Sequence, residues 1–360
     1  KTMLRLKFTS MFSGLMAACA LIMSVGTTGA EAVDVQNDVM DVTLFRGAGN
    51  NSWFEVYFKA DLVNGADKVE VETLDIDLRP KRDVTLHVKI FNPDAKLPLI
   101  ITPGGNGDTD GFGNFARNVA VAAPDFKVII YDRRNLGRSS INFGDSPQMI
   151  EEGEDLHALI EHLDVAPATL YGMSSGGRSN LVVASKYPED IAALVLAPLT
   201  GGPLAAARLS EEYFFKYLNT ESLTTMTHIS DSSISSMEDL GKTPLWSAYL
   251  ERNQEHYKKA FFGTHIDDFL SSMKTSGTHL RSAGDQTALG MQDRNLAALT
   301  VPATLILHHG SYKDYLHPIT NSRAATTLIP NSSLEFAPFL PEILEHLIPF
   351  VRSNTPALRQ

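Results

Sequence analysis

The stretch Leu170-Tyr171-Gly172-Met173-Ser174-Ser175-Gly176-Gly177 constrains this chain more than any other. A short apolar run leads into it, and a helix-compatible stretch, Asn180–Lys186, follows. G-x-S-x-G between a strand and a helix predicts a nucleophile elbow. Its small residues allow a sharp turn that pushes one serine side chain out at the strand tip. Ser174 is the central residue, and Ser175 stands one position off it. The helix N-terminus just beyond favours negative charge that develops nearby.

The runs on either side supply the scaffold that such a turn needs. Residues 69–78 alternate polar and apolar, as a half-solvated antiparallel strand does, and Val84–Phe91 reads as its partner. The pattern then changes to short apolar runs: Leu97–Ile101, Lys127–Tyr131, Ala168–Tyr171, Ala192–Leu196 and Ala303–Leu307. Parallel strands covered by helices on both faces look like this. Glu151–Leu163 carries a helical stripe at Leu156, Leu159, Ile160 and Leu163. The order predicts an α/β sandwich with a mainly parallel sheet and helices on both faces.

Residues 201–298 interrupt the alternation and are rich in aromatics, among them Tyr213, Phe214, Phe215, Trp246, Phe261 and Phe269. They read as a helical cap over the C-terminal edge of the sheet, where open α/β sheets bind ligands. The expected core is then 33–200 together with 299–360.

A serine that attacks an acyl carbon needs donors for the tetrahedral oxyanion. The backbone N–H of Ser175 is one candidate. The other lies in the loop after Leu97–Ile101, Thr102-Pro103-Gly104-Gly105-Asn106-Gly107, with Gly105 the first choice and Asn106 the second. Asp108-Thr109-Asp110-Gly111 invites a calcium reading. An EF-hand loop would need Glu at position 119, which is Val. No metal and no cofactor is expected.

Together these features resemble the α/β-hydrolase superfamily. Pro103-Gly104-Gly105 stands where that family commonly has His-Gly. Asp132-Arg133-Arg134-Asn135-Leu136-Gly137-Arg138-Ser139 is similar to its D-x-R-G-x-G-x-S turn, with Asn in place of the first Gly. The segment Val301–Pro318 resembles its last catalytic strand and acid loop. The resemblance spans about residues 69–352 and implies a serine-nucleophile hydrolase with a cap.

It also implies a carboxylate after that last strand, and Asp314 is the only one in the loop Gly310–Pro318. Its expected role is to orient a histidine base and stabilise the imidazolium. The base is where the chain departs from the pattern. The family's histidine follows a final strand, here Ser333–Phe336, but the next residues are Ala337-Pro338-Phe339-Leu340-Pro341. His317 is the leading substitute, ahead of His308, His309 and His346; His228, His256, His265 and His279 lie in the insertion. His317 would precede a helix over Ile319–Thr327 with Pro318 in its first turn.

The first 32 residues read as a secretory signal. Lys1, Arg5 and Lys7 precede an apolar stretch from Phe8 to Val25, and Ala30-Glu31-Ala32 is an A-x-A-like cleavage site. The expectation is a secreted or periplasmic protein without a stable membrane span. Cys19 is the only cysteine, so the mature chain would lack disulfides and any thiol nucleophile. Met16-Ala17-Ala18-Cys19 also permits a lipoprotein reading, which the apolar run beyond Cys19 weakens.

The formal charge is −11, with no basic tract through the body, which argues against a nucleic-acid groove. The expected partner is a small molecule, an apolar acyl compound whose ester, lactone or related bond is cleaved. The competing class is a hydrolase fold that binds a ligand without turning it over.

Overall fold

The computed structural model describes residues 62–105, 107–207, 209, 266–282, 286–309, 314 and 316–358. Within them the apolar runs become strands. The order is β1 (Val71–Asp77), β2 (Thr85–Phe91), β3 (Leu97–Thr102), α1 (Gly113–Ala122), β4 (Phe126–Tyr131), α2 (Gln148–Leu163), β5 (Ala168–Gly172) and α3 (Ser175–Lys186). There follow β6 (Ile191–Leu196), α4 (Ile266–Ser282), α5 (Asp293–Ala297), β7 (Thr304–His308), α6 (Ile319–Leu328), β8 (Ser332–Phe336) and α7 (Leu340–Asn354). The strands form an eight-stranded sheet ordered β1-β2-β4-β3-β5-β6-β7-β8. β2 is antiparallel to both β1 and β4, and every other pairing is parallel.

Burial explains why the two kinds of strand read so differently. β1 lies at the edge, exposed at Glu72, Thr73, Asp75 and Asp77 and more covered at Val71, Leu74 and Ile76. β5, β6 and β7 are buried at every position. Successive side chains point to opposite faces, so these strands must be apolar throughout to fill two cores. Ile100, Ile129, Leu170, Leu194 and Ile306 join Leu156, Leu159, Leu181 and Ala325 of α2, α3 and α6 in one. Leu99, Ile101, Val128, Ile130, Tyr171 and Val195 meet Phe115 and Val119 of α1 and Ile343, Leu347 and Val351 of α7 in the other.

Register then gathers the loops that matter. Thr102 pairs with Gly172, Gly172 with Leu196, and Leu196 with Ile306. The C-terminal tips of β3, β5, β6 and β7 therefore end side by side. The sheet delivers the loops after residues 102, 172, 196 and 308 to one edge.

One boundary differs from the sequence reading. The helix after the elbow begins at Ser175 rather than Asn180, because the Gly-Gly pair is taken into its first turn. Ala288, Met291 and Leu296, inside the stretch assigned to the insertion, pack in the same core as Leu170 and Ile306. The other described part of that stretch includes α4, whose Ser276 hydroxyl accepts the N–H of Gln148 at 3.1 Å. The aromatics from Tyr213 to Phe262 and residues 1–32 lie outside the described residues. Among the described residues no helix is long and apolar enough to cross a membrane.

Candidate active site

The elbow turns where the sequence places it. Ser174 is held at φ 49° and ψ −113°, a conformation that costs a non-glycine residue about 1–3 kcal/mol and persists only when neighbours impose it. Here they do. The N–H of Met173 donates to the carbonyl of Thr102 at 3.0 Å, and that of Ser174 to Pro198 at 3.1 Å. The N–H of Gly176 closes the turn on Met173 at 2.7 Å. A Cβ at Gly176 would sit 2.3 Å from the carbonyl oxygen of Thr102, so only glycine lets α3 start this close to β3.

Two hydrogen bonds run from the serine in line. The Oγ of Ser174 lies 2.8 Å from Nε2 of His317. The Nδ1 of His317 lies 2.7 Å from Oδ2 of Asp314. A carboxylate beside Nδ1 accepts a hydrogen bond from the proton it keeps on that nitrogen, and so leaves Nε2 as the acceptor for the serine hydroxyl. Asp314 is itself fixed, because its Oδ1 accepts the N–H groups of Leu316 at 3.1 Å and His317 at 3.2 Å. The carbonyl of Leu316 accepts from Gly201 at 3.2 Å, which ties this loop to the one after β6. His317 is 2% exposed, so its ring has little freedom and little water around it.

A family model described as the alpha/beta hydrolase fold matches residues 98–216, from β3 through the elbow and past β6. Over these residues the chain has the α/β-hydrolase fold. Among relatives, it is 23% identical over 247 residues to a Caulobacter sp. (strain K31) protein provisionally named carbamate hydrolase RutD, covering 69% of this chain and 84% of that one. It is 30% identical over 122 residues to 3-oxoadipate enol-lactonase 2 of Acinetobacter baylyi (strain ATCC 33305 / BD413 / ADP1), covering 34% of this chain and 44% of that one. A solved structure, the α/β-hydrolase enzyme MGS-M2 from a Medee basin deep-sea metagenome library, matches with a TM-score of 0.49 at 20% identity, over 76% of this chain and 93% of that one.

The other candidate histidines among the described residues lie off this series of hydrogen bonds. His308 is buried edge-on to the Phe336 ring, with its centroid 5.5 Å away. Burial pushes the pKa of His309 down to about 4, and its Nδ1 lies 2.7 Å from the carbonyl of Ala337. His346 stands half-buried on α7. The Nε2 of His279 lies 3.2 Å from the carbonyl of Gly290. His228, His256 and His265 lie outside the described residues. Pro318 occupies the cap position of α6 rather than its first turn, so His317 sits just ahead of that helix.

The oxyanion candidates flank the serine. Ser175 opens α3, so its backbone N–H is among those with no acceptor within the helix. Its hydroxyl is buried without a hydrogen-bond partner among the described residues. A Cβ on Gly104 would meet the Met173 carbonyl oxygen at 2.5 Å and Ser174 Cβ at 3.0 Å, so the β3 loop lies directly against Ser174. Gly105 follows in the left-handed region at φ 54°. Asn106 lies outside the described residues.

Sequence reasoning missed two participants. Thr200, 2% exposed, brings its hydroxyl within 3.0 Å of the Ser174 hydroxyl. Arg133, equally buried, donates one Nη2 hydrogen bond to the carbonyl of Gly105 and pairs through Nη1 with Glu152 at 2.9 Å. It thereby braces the loop that carries Gly105. The rest of the D-x-R-G-x-G-x-S turn is structural. Asp132 accepts the N–H groups of Thr109 at 2.6 Å and Arg138 at 2.7 Å, and Arg134 pairs with Asp155 at 2.5 Å. Asn135, standing where the family has glycine, adopts φ 65°, which Asn tolerates better than most residues. The carboxylate of Asp108 is spent on its own turn, accepting from Asp110 at 3.1 Å and Gly111 at 2.8 Å.

Proposed function

We propose that this chain is a serine hydrolase that cleaves a carboxylic ester, lactone or related acyl bond through an acyl-enzyme on Ser174. The observation that carries the reading is the unbroken series of hydrogen bonds from Ser174 Oγ through His317 to Asp314, at 2.8 and 2.7 Å.

Its chemistry follows directly. His317 Nε2 accepts the hydroxyl proton as Oγ attacks the acyl carbon, and the Asp314 carboxylate stabilises the imidazolium that forms. The backbone N–H groups of Ser175 and Gly105 meet the charge on the tetrahedral oxygen, reinforced by the N-terminus of α3. The imidazolium returns its proton to the departing alkoxide. Water, activated by the same Nε2, then releases the acid and restores Ser174. Relatives named carbamate hydrolase and enol-lactonase support an acyl bond opened by water. The relay argues against a fold that binds without turnover.

We further propose that residues 1–32 direct export and that 201–298 cap the pocket and set substrate preference. N-terminal sequencing of the protein recovered from a native host would test the first. Hydrolysis of p-nitrophenyl esters graded by acyl length tests the main reading. Turnover that Ser174→Ala reduces by about three orders of magnitude or more is expected. Equal rates in the folded variant would overturn it.

A further inference from the structure

Arg178 lies on α3 four residues beyond Ser174, one helical turn and about 6 Å along the axis. It is 8% exposed. A guanidinium carries five N–H donors and keeps its charge at any working pH. Arg133 and Arg134, the other buried arginines near the site, each hold a carboxylate, at 2.9 and 2.5 Å. Arg178 has no ion pair among the described residues, and its Nε is buried without a hydrogen-bond partner. Burying a charge with no acceptor is costly, and proteins ordinarily answer it with a paired group.

The side chain lines a cavity between α2, α3 and α4. Met149 and Leu280 give it an apolar wall, and Gln148, Ser276 and His279 a polar one. Glu152 also borders it, but Glu152 is already committed. Its Oε2 accepts from Arg133 and from Ser179 at 2.7 Å, and its Oε1 from Gln148 at 2.8 Å. Burial, and to a lesser extent the neighbouring Arg178 charge, shift the pKa of His279 downward. The positive charge left unanswered in this wall is the guanidinium. The cavity is open on one side and has room for about 10 Å³, enough for the tip of a carboxylate entering from the mouth and too little for a ring system.

We propose that Arg178 receives a carboxylate carried by the substrate away from its scissile bond, so that the preferred substrates are acidic esters or lactones rather than purely apolar ones. A planar carboxylate matches the guanidinium fork in two parallel hydrogen bonds, the geometry arginine favours over lysine. The net charge of −11 belongs to the whole chain and does not oppose one guanidinium at short range.

The inference rests on the hydrolase reading, and the experiment separates the two. The p-nitrophenyl monoesters of succinate, glutarate and adipate are compared with neutral p-nitrophenyl esters of equal length, on the wild type and on Arg178→Met and Arg178→Lys. The wild type is expected to favour the acidic ester at one length by about tenfold or more in kcat/KM. Arg178→Met is expected to lose about tenfold more on that ester than on its neutral counterpart, mainly in KM, with Arg178→Lys between. No preference at any length, or equal losses on both esters, overturns the proposal. Should no ester be turned over, the hydrolase reading fails, and calorimetric titration with glutarate decides the site alone. Binding by the wild type that Arg178→Met abolishes supports it, and equal or absent binding overturns it.

Discussion

Asp314→Asn isolates the role of one charge at nearly constant shape. Among the described residues the carboxylate accepts three hydrogen bonds: Oδ1 from the N–H groups of Leu316 and His317, and Oδ2 from His317 Nδ1. A carboxamide has one acceptor and one donor end. If its oxygen keeps the two backbone N–H groups, its NH₂ faces Nδ1 and forces the proton onto Nε2, where it blocks acceptance of the Ser174 hydroxyl proton. If it turns over, the NH₂ meets two N–H donors.

Two bonds against one favour the first arrangement, so the variant should fold normally with the wrong tautomer. The loss combines that tautomer with the missing charge opposite the imidazolium. It is expected to reach about 10³–10⁴ in kcat, the size known for the same change in a serine protease triad. That corresponds to about 4–5 kcal/mol of transition-state stabilisation. Stopped assays with a neutral p-nitrophenyl ester, with thermal unfolding run alongside, give both readouts. A variant within about tenfold of wild-type kcat, with the fold intact, would refute the reasoning.

Other perturbations probe the surroundings. Gly104→Ala places a Cβ 2.5 Å from the Met173 carbonyl oxygen, so the elbow must shift. Activity should fall about a hundredfold while the melting temperature drops only a few degrees. Arg133→Met leaves Glu152 as an unpaired buried carboxylate and frees the Gly105 carbonyl. Denaturant titration should show about 3–5 kcal/mol of destabilisation, most of it recovered by adding Glu152→Met, while kcat stays low in both. His309 has a folded pKa of about 4 against an ordinary 6.5, because burial disfavours its charged form. The unfolded chain therefore binds an extra proton between these values, and stability is lost as pH falls through that window, by on the order of 3 kcal/mol. His309→Gln should flatten the stability profile from pH 6.5 to 4, and an unchanged slope would count against this origin.

Legibility in the sequence followed the physics of each part. β5, β6 and β7 were readable because strands buried on both faces admit few polar residues. The turn around Ser174 was readable because close backbone approach admits only small ones. The base was harder to place, since several histidines lie near strand ends. What brings His317 to Ser174 is the Asp314 turn and its tie from Leu316 to Gly201, a contact between residues over a hundred positions apart. Thr200 gave no signal, and Arg133 stands at a position of the Asp132–Ser139 turn that the pattern leaves open. Neither belongs to a local motif that names its partner, and each acts across 26 or 28 residues. Ala288, Met291 and Leu296 pack in the sheet's core, but they carry no periodic pattern that separates a core segment from a cap.

The central claim is that His317 activates Ser174, and covalent labelling tests it most directly. A fluorophosphonate probe is incubated with the wild type, Ser174→Ala and His317→Ala, and the adduct is located by peptide mass spectrometry. The account predicts one adduct on Ser174 in the wild type, none in Ser174→Ala, and labelling slowed by about three orders of magnitude in a folded His317→Ala. Labelling of His317→Ala at the wild-type rate, or an adduct on Ser175 instead, would contradict it.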